Sequence, residues 1–222
     1  YPVAQEAAAR AKRGDLGEVR AFVGHFLQDW LLFETDYSWR LDPKVAGRAN
    51  VVADLGSHWC DLVQFVTGQK IVEVMAELHT CVPKRLKPTG GVLSFGAGRA
   101  GETEEVDITL DDYAALFLKL ENGARGNFTA CQAAAGRKVD LELQIFGSKE
   151  SCAWSHVHPN ALWIGHREKA NEVFYESSSL QAEGTRRYAS ARNSTCCSCR
   201  SKRSGRCCCG STRPASRCCA SR

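Results

Sequence analysis

Asp54 and His58 stand four residues apart in NVVADLGSHWCDLVQFVTG, residues 50–68. At 3.6 residues per turn this spacing puts a carboxylate and an imidazole one above the other on a helix, where they can share a proton or grip one substrate hydroxyl. Imidazole exchanges protons near neutral pH, so the pair suits general acid/base work. The same residues have a plainer use. An Asp near a helix start caps it or answers its dipole, and a His on a helix is commonly a satisfied structural side chain. Spacing alone leaves both readings open.

The rest of the stretch supplies the helix. Leu55, Trp59, Leu62, Val63 and Val66 form one apolar stripe, Asp54, His58 and Asp61 form a polar row, and Gly68 follows the last apolar position as a C-terminal cap. Upstream, residues 28–49 mix aromatic and charged side chains without a period, which is how a binding loop on a rigid scaffold reads. Trp30, Tyr37 and Trp39 either pack that loop down or face a ligand. Gly96-x-Gly98-x-x-Gly101 imitates a dinucleotide fingerprint, but no apolar strand leads into it and no helical pattern follows. No cofactor-binding or metal-binding residue is assigned in the chain.

Around these residues the pattern predicts a helix over 4–12, started by Pro2 and ended by Gly14, and a strand over 18–27. A strand over 71–82 follows the central helix, then a glycine-bearing loop over 83–105 that is either mobile or functional. Runs at 113–120 and 124–131 flank Glu121-Asn122-Gly123, and runs at 139–146 and 151–154 flank Gly147-Ser148. These are hairpin signals, and 162–164 and 173–175 add short strands. The expected fold is α+β, a mostly antiparallel open sheet with helices packed on one face. The other face is expected to draw apolar residues from Ala114, Leu116, Leu118, Phe128 and Ala130.

The chain has 222 residues, 44% of them hydrophobic, enough for a substantial core. Its net charge of +4 misleads, because residues 191–222 hold seven Arg and one Lys with no acid. The body therefore carries 21 of the 29 basic residues against all 25 acidic ones. Eight of the 12 cysteines also lie in that tail, and Cys60, Cys81, Cys131 and Cys152 read as reduced, buried small hydrophobes. No run of eighteen apolar residues exists and the first residues lack the order of a secretory signal, so a cytoplasmic location with no membrane partner is expected.

The string ADLGSHWCDLVQFVTG closely resembles the D-x-G-S-H-x-x-D-L helix of the Gfo/Idh/MocA oxidoreductases, and GDLGEVR, TDYSWRLDP, ENGARGNFTACQ and LQIFGSKES extend the likeness over residues 1–188. The resemblance implies the family's substrate-binding and oligomerising half, with a C-terminal-domain fold of the dihydrodipicolinate-reductase type. It implies a catalytic triad of a lysine, from a nucleotide-binding domain, with Asp54 and His58. It places Asp36, Tyr37, Trp39 and Arg40 at the cleft for a sugar or polyol substrate, and implies NAD or NADP as cofactor and a homo-oligomer formed through the sheet face. One departure is the approach to the helix, GRANVVAD, with a single Gly47 where the family is glycine-rich.

The triad lysine and the nucleotide-binding half are expected to lie before Tyr1, so this chain alone is expected not to turn over substrate. The likeness covers residues 1–190 as one domain and stops near Ser190. Residues 191–222 contain nothing able to build a core. Their Ser/Arg/Cys/Ala/Gly vocabulary is what a GC-rich gene yields in the wrong reading frame; a disordered basic tail and a soft-metal site are the other readings. No nucleic-acid partner is expected, since interleaved aromatics are missing. A non-catalytic dimerisation or binding module remains the alternative to an enzyme.

Overall fold

The computed structural model describes residues 1–90 and 102–176. The Gly96–98–101 pattern, the boundary at residue 190 and the tail at 191–222 lie outside them. Helix α1 (Pro2–Arg13) opens the chain, with Pro2 in its first turn. Strand β1 (Val19–Leu27) follows, and the loop after it is less irregular than its sequence: a 3₁₀ turn (Trp39–Leu41) and a short helix α2 (Pro43–Ala46) lie within it. The central helix runs from a π turn (Val52–Gly56) into helix α3 (Ser57–Thr67), and Gly68 ends it at φ 68°, a conformation that glycine takes without strain.

Strand β2 (Ile71–His79) is shorter than expected, and the loop at 83–105 is not a free loop at its base. Lys84–Pro88 (β3) and Thr103–Asp107 (β4) pair antiparallel as a separate two-stranded sheet. The remaining strands are β5 (Tyr113–Leu120), β6 (Arg125–Cys131), β7 (Asp140–Gly147), β8 (Ser151–Ser155), β9 (Ala161–Gly165) and β10 (Glu172–Tyr175). With β1 and β2 they form, among the described residues, one eight-stranded sheet in the order β10-β9-β8-β7-β1-β6-β5-β2. Strand β1 inserts between β6 and β7, parallel to β6 and antiparallel to β7, so the sheet is mixed with one parallel pair. Antiparallel pairing prevails elsewhere.

Helices α1 and α3 pack on one sheet face, where Ala7, Val63 and Val66 meet Leu143, Ile145, Cys152, Trp154 and Leu162 in one core. Trp59 is its centre. The indole stacks between Phe22 and Phe128, 6.1 and 4.6 Å from their ring centres, and donates from Nε1 to the Glu142 carbonyl at 2.8 Å. Gly24 makes room for it: a Cβ there would stand 2.1 Å from the Glu142 oxygen and 2.3 Å from the indole nitrogen.

Register decides which strand residues face the helices. Ala114, Leu116, Leu118, Phe128 and Ala130 are buried in this core and do not supply the opposite face. Strand alternation turns Tyr113, Ala115, Phe117 and Lys119 outward, and across the ladder Met75 lies beside Phe117. The cysteine expectation also needs correction. Cys152 is buried and Cys60 and Cys131 are partly covered, but Cys81 is exposed.

Candidate active site

The central helix is pinned at both ends of its first turn. Outside it, the Asp111 carboxylate accepts from the backbone N–H of Asn50 (3.0 Å) and Val52 (3.2 Å), capping the helix from the segment before β5. Inside it, Leu55 and Trp59 are held in the core. The residue in excess of an ordinary α turn between these anchors is absorbed as the π turn, closed by Ser57 N–H to the Val52 carbonyl. Asp54 sits within that turn.

Both oxygens of Asp54 are engaged. Arg40 Nε donates to Oδ1 at 3.2 Å and Gln132 Nε2 to Oδ2 at 2.9 Å. The Arg40 guanidinium lies over the Trp39 ring at 4.7 Å and near the Trp30 ring at 5.8 Å, an arrangement that favours the cation over each ring face. Trp39, Arg40, Val45, Ala46, Ala49, Asn50, Ala53 and Asp54 line an open cleft of about 290 Å³. Of the residues singled out in the sequence, Trp39, Arg40 and Asp54 therefore come together. His58 follows Asp54 along the helix and is exposed, its ring centre 6.3 Å from that of Phe26 in an edge-on arrangement. No hydrogen bond joins Asp54 to His58 among the described residues, so the two side chains do not share a proton here.

Asp36 and Tyr37 have other surroundings. Asp36 Oδ2 closes a turn by accepting from Phe33 N–H at 2.8 Å. Tyr37 is buried with Leu31, Leu41 and Ile108 in a second small core, where burial raises the pKa of its phenol. Neither lines the cleft. Behind them Arg85, on β3, sends its guanidinium to the carbonyls of Leu31, Phe33 and Asp36 and to Asp112 Oδ2 at 3.2 Å. That buried pair fastens the loop which carries Trp39 and Arg40. Burial lowers the Arg85 pKa, opposed by Asp112.

Sequence reasoning missed Asn50, Asp111 and Gln132. Gln132 ends the string ENGARGNFTACQ and Asn50 lies in GRANVVAD, so both were in view without a role. What assigns them is a tertiary contact between residues 50 and 132, which no local period carries.

Residues 4–153 match the family model of the GFO/IDH/MocA C-terminal domain. The chain belongs to the Gfo/Idh/MocA family. It is 29% identical over 163 residues to levoglucosan dehydrogenase of Pseudarthrobacter phenanthrenivorans, a match covering 71% of this chain and 41% of that protein. Among solved structures, the oxidoreductase domain protein from Kribbella flavida superposes with a TM-score of 0.68 at 32% identity, over 79% of this chain and 45% of that one. An inositol dehydrogenase homolog from Azotobacter vinelandii, complexed with NADH and myo-inositol, shares the fold with a TM-score of 0.66 at 21% identity, over 84% and 42%. The Gfo/Idh/MocA chain described here thus spans less than half the length of these relatives.

Proposed function

We propose that this chain is the substrate-binding part of an NAD(P)-dependent oxidoreductase that acts on a sugar or polyol, with His58 as the proton acceptor and Asp54 as a fixed anion beside it. The observation that carries the reading is the contrast between them: the cleft carboxylate is held on both oxygens, while the imidazole next along the helix is open to a ligand. Oxidation of a secondary alcohol removes a hydride from carbon and a proton from its oxygen. His58 takes the proton, and imidazole can return it near neutral pH. Asp54 accepts hydrogen bonds from a neighbouring hydroxyl, Arg40 donates to a ring or hydroxyl oxygen, and Trp39 offers an apolar face to the C–H side of a sugar.

The nicotinamide supplies the hydride chemistry. The described residues do not fit a dinucleotide: the start of the central helix, where a pyrophosphate would find N–H donors, is already filled by the Asp111 carboxylate, and a second anion there would be repelled. The cofactor and the family's lysine are therefore assigned to a nucleotide-binding domain working with this one. NADH accompanies myo-inositol in the Azotobacter homolog, and levoglucosan is the substrate named for the Pseudarthrobacter relative, which supports a polyhydroxylated substrate class.

The outer sheet face is the proposed surface for self-association, through Met75, Phe117, Val173 and Tyr175, all exposed large hydrophobics on strands. The activity is tested by following NAD+ and NADP+ reduction with levoglucosan, myo-inositol and a panel of hexoses, on the protein assayed together with its nucleotide-binding domain. Turnover with one polyhydroxylated class, and a rise in KM of about tenfold or more in Arg40→Ala, is expected. No reduction with any sugar or polyol would defeat the reading.

A further inference from the structure

Gln132 lies at the end of β6, 78 residues from Asp54 in sequence, and its amide bridges the carboxylate to Asn50. The direction of this bridge is set by a group that cannot reverse. The main-chain carbonyl of Asp111 only accepts, so the end of Asn50 facing it at 2.9 Å is the NH₂. The second N–H of that same nitrogen reaches Gln132 at 2.6 Å and requires an acceptor there, the Oε1. Gln132 is then left with its NH₂ toward Asp54 Oδ2, which accepts from it at 2.9 Å. Asn50 is 2% exposed and Gln132 fully buried, so water does not compete for the bridge.

We propose that Asn50 and Gln132 form a one-way relay that positions Asp54, with Gln132 as the positioning residue and Asn50 fixing which end of Gln132 faces the site. The relay rests on the catalytic reading above for its use, but its geometry can be tested without turnover. It makes the two members of the Asp54–His58 pair unequal: Asp54 is held by donors on both oxygens, whereas the exposed His58 is the one that the catalytic reading asks to carry the proton.

The whole chain serves for the first test. In wild type, the side-chain NH₂ protons of Asn50 and Gln132 should exchange slowly with solvent in NMR spectra, and fast exchange at both would overturn the relay. In Gln132→Glu the isosteric carboxyl keeps the Asn50 bond at one oxygen and sets the other against Asp54. Two carboxylates in contact retain one proton between them. Carboxyl ¹³C spectra at neutral pH should then show one more protonated acid than wild type, and adding Asp54→Asn should remove it. A folded Gln132→Glu chain with no retained proton would overturn the proposal. Gln132→Met keeps the bulk and cannot donate. With the nucleotide-binding domain supplied, its kcat per folded molecule should fall about tenfold to a hundredfold, beside a lower Tm because the buried Asn50 N–H loses its acceptor, and an unchanged kcat would remove the positioning role. If instead His58→Ala leaves turnover intact, the catalytic reading fails while the proton count still reports on the relay.

Discussion

At the scale of single residues, what surrounds the reacting atom decides its chemistry more than the exposure of the residue as a whole. Cys81 shows this. It is exposed, yet its thiol is pushed up to about 12, first by burial of the sulfur and then by Asp112 and Cys131 beside it. A raised thiol pKa keeps the unreactive protonated form, so reactivity arrives only as pH climbs. Alkylation of Cys81 by iodoacetamide, followed by peptide mass spectrometry, should run at least about a hundredfold slower at pH 8 than for an ordinary thiol, and should still climb about tenfold per pH unit between pH 8 and 10. A rate that levels off near pH 9 would contradict this. The spacing of Asp54 and His58 could be read in the sequence, and the resemblance brought in Asp36, Tyr37, Trp39 and Arg40. Asp54, Trp39 and Arg40 meet in one cleft, whereas Asp36 is spent on a turn and Tyr37 on a small core, a distinction that depends on packing.

At the scale of elements, close approaches fix the central helix on the sheet. Gly24→Ala would drive a Cβ into the Glu142 carbonyl and the Trp59 indole, so backbone or helix must move. A loss of about 3 kcal/mol is expected, read as a Tm fall of roughly 5–10 °C. An unchanged Tm would show that the helix rides more loosely on β1 than these distances require. Arg85→Met tests the clamp on the loop at 28–49. The side chain and its Asp112 partner are 0% exposed, and removing one member of a buried pair costs about 3–5 kcal/mol. Helix boundaries and hairpin turns could be read in the sequence because they follow from caps, glycines and Asn-Gly signals. The π turn could not, since it arises from Asp111 holding one side of the helix start while Leu55 and Trp59 hold the other.

At the scale of the whole molecule, the class of fold was legible and the strand order was not. Alternation at 113–120 says which residues share a face, but which face meets the helices depends on β1 entering between β6 and β7. That insertion turns Phe117 and Met75 outward, 58% and 66% exposed. If this face joins two copies, Phe117→Lys should raise the dissociation constant measured by light scattering about tenfold or more, and Tm should fall only as far as the lost association accounts for, because the residue is already in solvent in the single chain. A strict monomer in the unaltered protein at tens of micromolar would contradict the interface. The most direct test of the whole account is kcat and Tm measured on the same preparations of wild type and His58→Ala, assayed with the nucleotide-binding domain and a polyol substrate. The account predicts a fall in kcat of about 10² to 10⁴ with Tm unchanged, since His58 is exposed and packs against little. A His58→Ala protein that keeps near wild-type kcat would contradict it.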